Sequence, residues 1–600
     1  MVRSVPTRRA KVNSHITEYL GKIGLFIWFL ANAISHSAFA QNFDKLGSDG
    51  AAVVSGGVTL SGIGYAQDGI AIPSRDPFTW YVTGNITATI LDVSLPFTFT
   101  YSNQGGKFTQ PFNRTAIHPS YKWFKSHIGL ISTTFSPNTL SGHLFLGGAV
   151  DLNPGKWKIS AMAGRLIKPV PYSAIDNNSS QCAYGRFGFG LQVGYSLKFI
   201  EASLTAFKAQ DNPSSIPVSP LNGSIKPQDN LVMGAKLKAT PLKSVTVEAE
   251  YALSALTQNR NDEGDTDGGR LSFLYPAISG NATSSVMNAF KSSVNYRLKN
   301  LTIGAGFEHI DPGYKTLGGY YFNNDLQNFT LNSAVSFWKN KCNLAFNGGF
   351  QRNNLSASKT ATTSRLVGNA NINIVPAKGL VFNANFSNFS NYSRNRPATN
   401  PFYYQPSDTL NFYQVTKSIS AMTAYSFGKT NSLHSLTALY VYNRSISVSG
   451  GLNSITLLGG NLSGESPVPI QVHTSNLAWS IQLKPSQIAF TAAGNMNHSI
   501  VDTLTSDFFG PSANIQKGLF NKKLNLTAGA TYNQQFQQGI QVGNVLNYRA
   551  AVAFNPQLKN KKAGVFTISA NANLLQRMPT ISNLTKIPEL NVFVNVGYTF

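Results

Sequence analysis

The C-terminal segment repeats with a period of two. Leu590, Val592, Val594, Val596, Tyr598 and Phe600 fall on one side; Asn591, Asn595, Gly597 and Thr599 fall on the other, with Phe593 the large apolar exception. Successive side chains of a strand point to opposite faces, so this segment is a ribbon with one greasy and one polar surface. Equivalent ribbons recur up the chain. Leu524, Leu526, Ala528, Ala530 and Tyr532 alternate with Asn525, Thr527, Gly529, Thr531 and Asn533. Phe566, Ile568, Ala570, Ala572 and Leu574 alternate with Thr567, Ser569, Asn571 and Asn573, and residues 301–308 and 380–387 read the same way. A soluble sandwich also alternates, but its strands average about five or six residues. These run to about 10–13, the length that crosses a bilayer when tilted. Their polar face is Asn, Ser, Thr and Gly rather than Lys and Glu, as suits a hydrated lumen.

The connections between ribbons alternate in length. Leu298-Lys299-Asn300, Lys339-Asn340-Lys341, Pro376-Ala377-Lys378-Gly379, Gly428-Lys429-Thr430-Asn431, Lys484-Pro485-Ser486 and Asn521-Lys522-Lys523 are short turns. Between them lie long polar or aromatic segments, 311–327, 391–408 and 450–468. One rim is trimmed and the other elaborated, the pattern of short periplasmic turns and long extracellular loops. Only helices and closed barrels satisfy every backbone group inside lipid. The expected fold is therefore all-β: a single large antiparallel transmembrane β-barrel. Counting segments from Gly56 gives roughly 25 strands, and single-chain bacterial barrels favour even numbers, so about 24–26 are expected. The count loses parity before His118, because 104–118 is too long for a short turn and either hides a strand or folds inward.

Composition fits this reading. Charged residues are 12% of the chain, about half the share of a soluble globular protein. The N-terminus carries Arg3, Arg8, Arg9, Lys11 and Lys22, then the apolar run Ile23–Ala31, then Ala38-Phe39-Ala40. A basic leader, an apolar core and a small-x-small motif make a secretory signal peptide over 1–40, cleaved after Ala40 at the site formed with Ala38. Gln41 follows, not Cys, which argues against lipoprotein attachment. Residues 41–55 are then a short periplasmic N-terminal segment and 56–600 the barrel. Formal charge is +24, of which the leader holds +4, leaving +20. Lys and Arg occur singly, without the dense basic tract a nucleic-acid footprint needs, so no nucleic acid is expected. The two cysteines, Cys182 and Cys342, fall by this layout on opposite rims, too far apart for a disulfide.

The ending Gly597-Tyr598-Thr599-Phe600, with Val596, Tyr598 and Phe600 on the apolar side, resembles the signal read by the barrel assembly machinery of outer membranes. The segments Arg75-Asp76-Pro77-Phe78, Pro96–Asn103, Pro111-Phe112-Asn113-Arg114 and Leu152-Asn153-Pro154-Gly155-Lys156 resemble uncharacterised large outer-membrane barrels of the Bacteroidota, a porin-like group. That resemblance implies a multi-pass protein of a Gram-negative outer membrane, in contact with its lipid and lipopolysaccharide, and implies no particular activity. TonB-dependent transporters resemble the chain in strand number. They carry a large plug domain before the first strand, where this sequence has only Gln41 to about Ser55.

Motifs of chemistry are few. Glu263, Asp265 and Asp267, followed by Gly268, resemble the opening half of a calcium loop, in which hard oxygen ligands alternate. Leu274 stands where the closing acid belongs, so calcium competes with a plain solvated loop; no other cofactor is expected. Glu308-His309-Ile310-Asp311 offers an acid–base pair but no nucleophile nearby. The histidines are dispersed without ligand spacing, and no enzyme is expected. Tyr320-Tyr321-Phe322 and Phe402-Tyr403-Tyr404 are read as rim-girdle or loop-packing residues, or as ligand contacts. Two functions follow. One is a porin-like channel, anion-preferring if the basic side chains line the pore. The other is a barrel serving a lipoprotein, secretion or motility partner, its lumen occluded by 41–75, 104–118 or long loops.

Overall fold

The computed structural model describes residues 52–68, 76–90, 93–103, 113–171, 182–217, 225–264, 277–320, 324–357, 364–388, 391–394, 412–447, 469–556, 564–580 and 587–600. Their strands form one sheet, antiparallel at every pairing, that closes on itself. Ala52–Gln67 pairs with Phe78–Ile90 on one side and with Ile587–Thr599 on the other. At the seam Gly56 and Phe600 exchange backbone N–H···O bonds of 2.9 Å. A cylinder of this kind has no open edge.

The sheet has 28 segments but 26 staves. Arg114–Ile117 and Ser120–Tyr121 both lie between Val93–Ser102 and Phe124–Thr134, as one stave interrupted at His118-Pro119. Pro119 cannot donate to a ladder. Opposite this break Gly129 adopts φ +119, and a Cβ there would sit 2.1 Å from the Thr115 carbonyl oxygen. This is the strand hidden near 104–118, and it restores the lost parity. Leu380–Ser387 and Asn391–Arg394 form the second interrupted stave, both against Phe412–Lys429.

Register fixes which residues face out. Directly opposed residues share a face, so Tyr425, Leu436 and Trp479 align, as do Phe329 and Phe350. These outward side chains are exposed, Phe350 at 70% and Leu477 at 61%. The opposite parity points into the lumen. Among the described residues no helix is long and apolar enough to cross a membrane.

Two details depart from the expected layout, and the cysteines follow it. The first strand begins at Ala52, not Gly56, because its ladder with the second runs on to Ala52↔Ile90. The long-loop rim also holds two tight turns, 502–503 and 538–539. In the second, Gln538 and Gly539 both take positive φ, +49 and +78, the conformation that suits a two-residue hairpin. Cys182 and Cys342 form no disulfide; Cys342 is buried just after the short turn 338–341, and Cys182 lies beyond the strand on the other rim. The leader with Ala38 and Ala40, the loops at 395–411 and 448–468, and Asp265 and Asp267 lie outside the described residues.

Candidate functional site: a lumen with one filled wall

Two connections from the long-loop rim pack against the inner wall. The first, 135–140, joins Phe124–Thr134 to Ser141–Leu152; the second, described over 311–320 and 324–325, lies between Leu301–Ile310 and Leu326–Phe337. They lock to each other. Tyr314 donates its hydroxyl to the Asn138 carbonyl at 2.6 Å, Thr316 donates to the Thr139 carbonyl at 2.7 Å, and the Ser141 amide donates to the Gly318 carbonyl at 2.9 Å. They also lock to the wall. Asn230, wholly buried, accepts from the Leu317 amide at 3.0 Å while donating to Ser254 and to the Ala255 carbonyl. Ser254 donates to the Lys315 carbonyl at 2.6 Å, and Asn138 donates to Glu250 at 3.1 Å.

Apolar packing completes the docking. Phe135, Leu140, Tyr314 and Leu317 sit in one cluster with wall residues such as Phe145, Phe207, Val232 and Leu256. The wall makes room with small residues. A Cβ at Gly190 would come 2.6 Å from a Phe135 ring carbon, and one at Gly234 would come 2.9 Å from the Thr139 methyl. Burial pushes the Tyr314 phenol far above its usual range, with Glu250 and Tyr251 adding to the effect. Burial also holds the Lys315 ammonium below the usual lysine range; the Arg186 guanidinium reinforces this, and Asp211 opposes it weakly. Arg186 and Asp211 form a two-point pair at 2.7 and 3.0 Å beside the Lys315 contact to Gln228.

Below the docked loops the same wall is charged. Lys158–Glu201 at 2.6 Å, Lys238–Glu248 at 2.7 Å and Lys291–Glu308 at 3.9 Å form successive pairs around the inner circumference. All are water-exposed, and such pairs contribute only about 0–1 kcal/mol each to stability. Their consequence is a wall of alternating sign.

The wall built by 412–554 is different. Asn476 donates to Asn495 at 2.7 Å, Asn495 donates to Ser512 at 3.0 Å, and Asn497 donates to Thr474 at 3.0 Å. Between Ser418 and Gly543 no inward position among the described residues is charged: Lys429, Arg444, Asp507 and Lys517 face outward, and Lys484, Asp502, Lys522 and Lys523 sit in turns. The last buried apolar side chain among the described residues is Val367.

The basic excess collects at one end. Ten turns of the short rim lie within the described residues. Nine carry a lysine, from Lys122 and Lys156 to Lys484 and Lys522-Lys523; the tenth, 430–431, follows Lys429; none carries an acid. Lys122, Lys198 and Lys341 lie about 5–6 Å over the rings of Tyr121, Phe199 and Trp338, the posture of lysines stretching past an aromatic girdle. The opposite rim carries Asp76, Asp262, Glu263, Asp311, Asp325 and Asp502.

Residues singled out in the sequence fare variously. Val596, Tyr598 and Phe600 line the outward side of the closing seam, with the Tyr598 and Phe600 rings stacked at 5.7 Å. Glu308 faces the lumen beside Lys291, while His309 points the other way and meets Asp311 at 3.1 Å. The two are not a working pair. Glu263 is exposed, with its two companions outside the described residues. Of the alternatives for Tyr320, loop packing holds: it stacks on His143 at 4.2 Å and accepts from the Leu144 amide, tying down the end of the docked loop. The docked loops themselves escaped sequence reasoning. Their signal was Phe207, Ala209, Val232 and Ala252, apolar residues on the side of their strands that should be polar.

No family model and no curated protein matches the chain. Solved structures similar to it include the translocation pore of the P pilus usher PapC, at 10% identity and a TM-score of 0.38, covering 91% of this chain and 99% of that one. The FrpB iron transporter of Neisseria meningitidis is similar at 10% identity and a TM-score of 0.34, over 91% of this chain and 82% of that one. Acinetobacter baumannii OccAB4 is similar at 10% identity and a TM-score of 0.27, over 69% and 98%.

Proposed function

We propose that this protein is an outer-membrane channel whose passage runs off-centre, along the uncharged wall of residues 418–543. The supporting observation is the asymmetry of the lumen: loops and a packed apolar cluster occupy one side, while hydrated amides line the other. A solute there meets donors and acceptors but no fixed charge, and faces the charged wall across the opening. The exposed apolar outer face is the surface such a barrel presents to acyl chains. The lysine collar would draw anions to the short-rim mouth. Planar-bilayer conductance with reversal-potential measurement tests this. The expected result is a weakly anion-preferring conductance; strict impermeability of the folded barrel overturns it.

The docked loops favour a second reading, a partner-binding barrel whose lumen is closed until a lipoprotein or secretion partner engages. A stoichiometric companion on purification from the native membrane, together with a silent barrel, would select it. The ending with Val596, Tyr598 and Phe600 is assigned to recognition by the barrel assembly machinery, and residues 1–40 to export. Glu263 and its neighbours remain a candidate calcium loop.

A further inference from the structure

Away from the rims, one inward cation stands apart from the others. On the filled wall each inward lysine among the described residues has an acid at hand. Lys125 lies opposite Asp151, Lys236 opposite Glu250 and Lys238 opposite Glu248, while Lys158 reaches Glu201 and Lys291 reaches Glu308. Arg549, in the strand Ile540–Phe554, is placed differently. Register sets it opposite Gly529 on one side and Asn573 on the other. Tyr548 and Val552 are exposed on the outer face of the same strand, so the parity of Arg549 is inward. From Ser418 to Gln576 it is the one inward charge among the described residues.

Its guanidinium forms no hydrogen bond or ion pair with a described residue, and the side chain is exposed. The closest strand with an inward acid is Ile587–Thr599, two along, and its Glu589 is already held. Arg577 reaches that carboxylate at 3.4 Å, and Asn591 donates to it at 3.3 Å. Around Arg549 the wall is amide. Asn514, exposed and one strand beyond Gly529, leans across that glycine: a Cβ there would come 3.0 Å from Asn514 Oδ1. The missing side chain thus brings an amide toward the guanidinium. On the other flank Asn571 stands opposite Ala551, one inward step along from Arg549.

We infer that Arg549 is a solute-binding residue of this lumen, and that its ligand is a small hydroxylated molecule with one oxyanion group, such as a sugar acid or a sugar phosphate. The planar fork of the guanidinium matches a carboxylate or a phosphate. The amides of Asn514 and Asn571 both donate and accept, as hydroxyl groups require. A neutral solute leaves the guanidinium unpaired, and a cation is repelled by it. The inference rests on the lumen being a passage, as proposed above, and names what that passage selects. Arg549 stands at the edge of the uncharged wall, on the strand beside Leu524–Gln537.

Single-channel recording of the full-length barrel in a planar bilayer tests it, with glucuronate, glucose 6-phosphate and glucose as probes. Low salt keeps the screening of the guanidinium small. Each acid should block the wild-type current saturably, and about tenfold more strongly than glucose, the effect of one charge-assisted contact. The stronger of the two acids names the oxyanion. Arg549→Gln should erase the difference between acids and glucose. Arg549→Lys, which keeps the charge and loses the fork, should keep part of it. Glucose blocking wild type as strongly as both acids overturns the inference, and needs no variant to fold. A preference for the acids that survives Arg549→Gln unchanged overturns it too, and assigns that preference to the lysine collar. A wild-type barrel that passes no current sinks the channel reading and this inference together, and is seen before any solute is added.

Discussion

The wall built by residues 124–310 and the wall built by 412–554 share strand length, register style and an apolar outer face, yet their inner faces have little in common. The first bears Phe207, Val232, Ala252 and Leu256 under docked loops, with charged pairs below. The second bears Asn and Ser ladders and, from Ser418 to Gly543, no inward charge among the described residues. The outer faces agree because one solvent acts on both. The inner faces answer to whatever occupies the lumen beside them. In a chain of this kind, functional information is therefore carried by alternate residues, and only by those.

The most damaging change to this contrast is Tyr314→Ala. It removes a fully buried ring and the hydroxyl bond to Asn138, a loss of about 3–5 kcal/mol for a large buried aromatic. Both loops should undock, making the filled wall resemble the bare one. Conductance should rise and limited proteolysis should cut within 311–325. Unchanged values of both would show that these loops neither fill nor gate the lumen.

A matched pair of substitutions sharpens the contrast with a smaller effect. Asn495→Asp places a carboxylate on the bare wall, where Asn495 lies between Asn476 and Ser512 in a half-buried, hydrated ladder. The barrel should fold normally while the reversal potential moves toward cations. Asn230→Asp makes the same chemical change on the filled wall, in a wholly buried side chain whose amide donates two bonds. It should cost more than the about 1–3 kcal/mol of a neutral unsatisfied group and loosen the loops with little selectivity of its own. If both variants changed selectivity equally, the walls would not differ in kind.

Sequence carried the outer half of this structure and little of the inner half. Leu590 to Phe600 and Leu524 to Tyr532 announce strands because their outward positions are apolar without a break. The strand at 114–121 stayed hidden because Pro119 and Gly129 break its period. The docked loops stayed hidden for another reason: Asn138 and Tyr314 lie 176 residues apart, and no local pattern reports a pairing at that range. The lysine collar was visible turn by turn, in Lys299, Lys339 and Lys484, but only closure of the barrel brings those turns to one rim.

The smallest effect tests whether the filled wall responds to pH. Lys315 lies in the docked loop with its ammonium disfavoured by burial and by Arg186, so its pKa falls below the ordinary 10.5. The docked loop therefore binds this proton more weakly than the undocked loop does. Docking gains nothing from Lys315 while both forms are protonated. It strengthens as pH rises through the lowered value, and the gain is complete above 10.5. Lys315→Met removes the titrating group and should flatten the profile, while also removing the bond to Gln228. Hydrogen exchange of 311–325, corrected for its intrinsic rate and compared between the two proteins, reads this directly. A wild-type loop that loosens with rising pH would reverse the sign, and would mean that Asp211, not burial, governs Lys315.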